Sequence, residues 1–148
     1  MQGDLPGGLR MRLEVEPAAE FRVELARRIH DFHAETMPPW QATRFGLRLE
    51  DAAGTLAGGF CGVLAWGWLF VEALWVDPAV RGSGAGRALM AAAERHAAAT
   101  GCHSAWLDSF QARDFYEALG YMVFGQLEDY PKGQTRWFLR KRLAPLTV

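Results

Sequence analysis

Residues 76–89 read VDPAVRGSGAGRAL, and no other stretch restricts the fold so much. An apolar, strand-like run stops at Asp77-Pro78, glycine recurs at 82, 84 and 86, and an alanine-rich stretch follows. Glycine at every second position between a strand and a helix leaves successive backbone N–H groups uncovered by side chains. The helix start adds its own unpaired N–H groups and a partial positive charge. Such a junction suits phosphate or pyrophosphate, and Arg81 offers a forked cationic donor beside it. A glycine turn that only lets the helix pack closely is the alternative. Two phosphate-binding frameworks fail on the letters. A P-loop needs Gly-Lys-Ser/Thr, whereas Gly86 precedes Arg87-Ala88. A dinucleotide fingerprint needs a glycine at the third spacing that GSGAGRAL lacks.

The 148 residues suffice for one domain with a real core, and half of them are apolar. A formal net charge of −1 gives no bulk attraction to nucleic acid or to an anionic membrane. Cys61 and Cys102 form neither a metal-ligand spacing nor a disulfide framework, which fits a reducing compartment. The start, MQGDLPGGLR, has no apolar signal core, and no apolar run approaches a membrane span. A cytoplasmic protein is expected.

The apolar spacing predicts the elements. LRMRLEV (9–15) alternates as a half-buried strand does. Phe21, Leu25 and Ile29 predict an amphipathic helix over about 17–34, stopped by Pro38-Pro39. Residues 45–76 read as three antiparallel strands turning at DAAG and WGW. The helix after the glycines carries an apolar stripe of Leu89, Met90, Ala93 and Ala97 and ends at Gly101. A strand (103–110), a short helix (111–120) and two more strands complete a single domain over 1–148.

VDPAVRGSGAGRALM resembles the acyl-CoA-binding motif of the GCN5-related N-acetyltransferases (GNAT superfamily), R/Q-x-x-G-x-G/A, through Arg81, Gly84 and Gly86. About thirty residues on, SFQARDFYEALGY resembles that family's second signature, a helix ending in Tyr-x-x-x-Gly-aromatic. The tail GQLEDYPKGQTRWFLRKRL is similar to a bacterial branch of small acetyltransferases, with Gln134 where His is expected. The resemblance implies an α+β fold with a mixed, mostly antiparallel, splayed sheet of six to seven strands flanked by helices. It implies acetyl-CoA as co-substrate, without a metal. The pantetheine arm would pair near Trp75 and Val76, and the pyrophosphate would rest on the amides of Gly82, Ser83, Gly84, Ala85, Gly86 and Arg87. A small-molecule amine is the expected acceptor, met in a ternary complex. A protein or peptide amine, a non-catalytic CoA-binding module and a nicotinamide-nucleotide module stay open. So does a homodimer through the terminal strands.

Acyl transfer to an amine requires a deprotonated amine, a polarised carbonyl and a stabilised thiolate. Tyr116 stands at the family's tyrosine position, where a phenol can protonate the thiolate; a satisfied core tyrosine is the alternative. Glu72 interrupts the apolar WLFVEALWV and is the candidate base. Alternation predicts that it shares a face with Leu74 and Val76 and that burial raises its pKa, unless an arginine pairs with it. His30 and His33 share a helix face without a third metal ligand, and His96 and His103 read as structural. Trp40, Trp66, Trp68 and Trp75 read by default as core packing, but Trp66 and Trp68 flank a turn and could wall an acceptor pocket.

Overall fold

The computed structural model describes residues 5–145, which fall into two compact units divided between Pro39 and Trp40. In the first unit a single 3-10 turn (Pro6–Gly8) leads into an extended stretch and then α1 (Ala19–His33). Three exposed ion pairs, Arg27–Glu24, Arg27–Asp31 and Arg28–Glu24, run along α1 at helical spacing. Arg27 and then Arg28 hold the Glu24 carboxyl below the usual carboxylate range. The strand expected over 9–15 is not formed. An extended segment becomes a strand only where a neighbour takes its N–H and C=O groups, and no ladder among the described residues includes these.

The second unit is built on a six-stranded sheet ordered β1-β2-β3-β4-β6-β5. Its strands are β1 (Thr43–Glu50), β2 (Leu56–Ala65), β3 (Trp68–Val76), β4 (Ser104–Ser109), β5 (Met122–Glu128) and β6 (Thr135–Arg142). α2 (Ala85–Ala99) follows β3, and α3 (Arg113–Ala118) follows β4. All neighbours are antiparallel except β3 and β4, which the α2 crossover makes parallel. The β1–β2 turn is tied by Asp51, whose carboxylate accepts from the amides of Ala53 and Thr55. Trp66 and Gly67 make the two-residue β2–β3 turn, both at positive φ, as tight hairpins require.

The stripe Leu89, Met90, Ala93 and Ala97 is buried, as the helical spacing predicts, in one core with Phe60, Leu69, Leu107 and Leu139. Alanine at two of these positions lets α2 approach the sheet closely. The small helix α3 carries Tyr116 into the same core beside Tyr121.

Two irregularities create the site. The pairing of β3 with β4 covers only Trp68–Phe70 against Ser104–Trp106, after which the strands part. One residue later the register between β2 and β3 slips, because Cys61 faces Ala73 while Gly62 faces Val71. Glu72 is the extra residue of this bulge. The slip keeps Leu69 and Val71 before it, and Leu74 and Val76 after it, in the core, while Glu72 and Ala73 are exposed. The alternation that would align Glu72 with Leu74 and Val76 is therefore broken.

Candidate active site

Beyond the bulge the β3 main chain becomes available. The Asp77 amide donates to Ala57 O of β2, so alternation directs the main-chain groups of Val76 and Leu74 away from β2, into the split. Those of Trp75 face β2. At the end of β3 the Asp77 side chain caps a 3-10 turn (Pro78–Val80) by accepting from Ala79 N, and the glycine loop follows.

Gly82 and Gly84 sit at φ 80° and 88°, the left-handed region that glycine enters without strain. The first helical bond of α2 runs from Ala88 N to Gly84 O. Among the described residues, no amide from Gly82 to Arg87 donates to another protein group. Gly86 has a different reason to be glycine: a Cβ there would lie 3.3 Å from the Phe115 ring. The Ser83 hydroxyl is turned back onto Val80 O. Arg81 donates through Nε to Val76 O at 3.0 Å, while its Nη groups have no partner among the described residues.

The loop borders a cavity of about 470 Å³ whose lining includes Trp75, Val76, Arg81, Gly82, Gly84, Ala85, Gly86 and Arg87. Ser83 alone of the predicted loop residues does not line it. A second cavity, about 650 Å³, occupies the split between β3 and β4 and shares Leu74 with the first. Glu72 and Tyr116 both line this cleft.

Tyr116 is buried except for the part reaching the cleft, and burial pushes its phenol above the ordinary tyrosine range. No group among the described residues hydrogen-bonds its hydroxyl, so the proton remains available to a ligand. Glu72 is not buried as expected: its side chain is 45% exposed, and Arg44 Nε lies 3.6 Å from its carboxylate. The bulge explains this, since it takes Glu72 out of the core face.

Several lining residues were given no place in the site by the sequence. Asp108, Phe110, Pro131 and Gln134 line the cleft, and Phe115 lines the loop cavity. Asp108 had a signal of the kind that marks Glu72, a carboxylate within the apolar strand AWLDSF. Phe115 adjoins Tyr116 inside the second signature. The tryptophans behave otherwise than expected. Trp66 and Trp68 stand at the closed end of β3, where β4 is still paired, and neither lines the cleft. Trp66 packs edge-on against Trp40, with ring centroids 4.8 Å apart. His96 packs on Phe45, and His103 Nδ1 lies 2.8 Å from the Ser104 hydroxyl. Among the described residues, no group of three His, Cys, Asp or Glu side chains is placed to hold a metal ion, and no helix is long and apolar enough to cross a membrane.

A splayed mixed sheet, a bare-amide loop heading a helix and a cleft beneath a buried tyrosine are the architecture of an acyltransferase. The family model described as acetyltransferase (GNAT) family matches residues 11–121, and the chain belongs to that family. It is 43% identical over 93 residues to a blasticidin-S acetyltransferase from Streptomyces morookaense, covering 61% of this chain and 68% of that relative. A crystal structure of an acetyltransferase from Bacillus cereus superposes with a TM-score of 0.80 at 30% identity, over 88% of this chain and 98% of that one. The fold also matches an aminoglycoside 6'-N-acetyltransferase complexed with coenzyme A, with a TM-score of 0.62 at 19% identity over 71% of this chain and 76% of that one.

Proposed function

We propose that this acetyltransferase is a single catalytic domain that moves the acetyl group of acetyl-CoA to the amine of a small molecule by direct attack in a ternary complex. The observation that carries the reading is the run of unpartnered amides from Gly82 to Arg87, opening onto the cleft that Tyr116 lines. The bare loop fits a pyrophosphate by shape and by polarity, and the free Arg81 Nη groups add charge. The main-chain groups of Leu74 and the Val76 amide are presented to the pantetheine arm, with Trp75 beside it, while Val76 O is engaged by Arg81. Acetyl-CoA supplies the acyl group as an activated thioester. Tyr116 Oη, kept protonated by burial, donates its proton to the departing thiolate. Glu72 accepts the proton of the amine, through water where the distance requires it, with Arg44 Nε 3.6 Å from its carboxylate. Neither Cys61 nor Cys102 lines the loop cavity or the cleft, which favours direct transfer over an acyl-cysteine route. The blasticidin-S relative supports a small amine as acceptor.

The test is a panel of amines, namely blasticidin S, an aminoglycoside, spermidine, tryptamine, n-butylamine and a peptide with a free N-terminus. Release of CoA is followed, and products are weighed by mass spectrometry. A small amine gains the mass of one acetyl group, and Tyr116→Phe lowers kcat about 10²-fold with acetyl-CoA affinity retained. Acetylation of the peptide alone would move the acceptor to proteins, and CoA binding without any turnover would leave a binding module.

A further inference from the structure

Beside the cleft lies a second hollow, about 260 Å³, lined by Phe110, Tyr130, Pro131 and Arg136. Its base is a guanidinium with its charge already met. Arg136 donates through Nε to Asp108 Oδ1 at 2.9 Å, its Nη2 lies 2.7 Å from the same oxygen, and both side chains are mostly shielded from solvent. A guanidinium held against a shielded carboxylate in this way is a flat, weakly hydrated surface with its charge met. Around it stand the rings of Tyr130 at 5.0 Å, Phe110 at 5.5 Å and Phe138 at 5.7 Å. Tyr130 is 51% exposed and Phe110 40%, so this part of the surface offers aromatic faces to an incoming molecule.

The hollow adjoins the cleft, with Phe110 and Pro131 lining both. Phe110 follows β4, while Tyr130 and Pro131 lie in the turn between β5 and β6. The Asp108–Arg136 pair joins these two walls across the sheet. With its charge neutralised, the base has no need of an anion, and the walls are apolar and planar. What fits is a flat, conjugated ring, held by stacking on tyrosine, phenylalanine and guanidinium faces.

We propose that this hollow is a specificity subsite for the acceptor, taking a planar unsaturated ring while the amine attached to it reaches into the cleft. The inference rests on the cleft being the acceptor site, and binding can be tested apart from turnover. Tryptamine and n-butylamine are titrated into isotope-labelled protein in the presence of CoA, with amide shifts read by NMR. Tryptamine is expected to shift Phe110, Tyr130 and Arg136, while n-butylamine leaves them in place. Tyr130→Ala should raise the tryptamine Kd about tenfold, and Tyr130→Phe should restore it. Shifts located elsewhere, or equal Kd values in wild type and Tyr130→Ala, overturn the subsite. A dimer that buries these rings and is dispersed by Tyr130→Ala, with no tryptamine effect, overturns it as well. Tryptamine seated on the rings of a protein that acetylates no amine would retain the subsite and dismiss the proposed reaction. Turnover with indifference to the ring would do the reverse.

Discussion

At the scale of single residues the glycine loop separates two requirements that the letters alone merge. Gly84 is needed for its backbone angle, since alanine in the left-handed region costs roughly 1–2 kcal/mol. Gly86 is needed for room, because its would-be Cβ meets Phe115 at 3.3 Å while its backbone is ordinary. The two alanine substitutions should therefore fail differently. Gly84→Ala is expected to lower stability in a urea melt and to weaken acetyl-CoA binding in calorimetry, and nothing done to Phe115 will repair it. Gly86→Ala pushes the Phe115 ring into the loop cavity, so it weakens binding with a stability change below about 1 kcal/mol. Adding Phe115→Leu should restore most of that affinity. Equal recovery of both variants by Phe115→Leu would show that one cause acts at both positions. The motif shows that glycine is wanted at 84 and 86; it does not show which physical demand each one meets, because Phe115 lies far along the chain.

Among the elements, the clearest lessons come from where a pattern is silent. The stripe on α2 was legible because a helix repeats its period against one continuous sheet. The alternation at 9–15 states which side would be buried, yet it cannot supply the neighbouring strand that hydrogen bonding demands. In WLFVEALWV an inserted residue leaves both flanks apolar, so the bulge at Glu72 escaped period-two reasoning and the face assignment failed with it. A second clamp was equally hidden. Glu94 on α2 accepts from Lys141 Nζ of β6 at 2.6 Å and from the Tyr121 hydroxyl at 3.3 Å. These partners are distant in sequence and belong to no motif. Glu94→Gln should cost about 2 kcal/mol in a urea melt, since it leaves a largely shielded lysine without its counter-charge. Burial and Glu94 together hold the Tyr121 phenol far above the usual tyrosine range. A pKa raised on folding gives stability that is full below the unfolded value near 10 and falls as pH rises, by up to about 1.4 kcal/mol per unit. Tyr121→Phe should flatten that alkaline decline, and an unchanged slope above pH 10 would remove this tyrosine from the account.

Across the whole sheet, the split leaves two sets of strands whose ladder, among the described residues, is the short pairing of Trp68–Phe70 with Ser104–Trp106. On one side stand β1, β2 and β3, and on the other β4, β6 and β5. A molecule laid along the open edge of β3 takes the place of the missing strand, using the main-chain groups of Leu74 and the Val76 amide. Coenzyme binding should then act on the sheet as well as on the loop. At a hundred times its Kd, CoA adds about 2.7 kcal/mol of stability, which for a chain of this length raises Tm by roughly 6–10 °C. That shift follows from mass action and would accompany binding anywhere. The pattern of amide exchange discriminates. Trp75 already donates towards β2, so its protection should change little, whereas Leu74 and Val76 should slow sharply together with the amides of Gly82 to Arg87. Gly84→Ala should weaken both effects in parallel if, as proposed, loop and strand bind one ligand. If CoA raised Tm while Leu74 and Val76 exchanged as freely as before, the coenzyme would lie outside the split, and the open edge of β3 would have to serve something else.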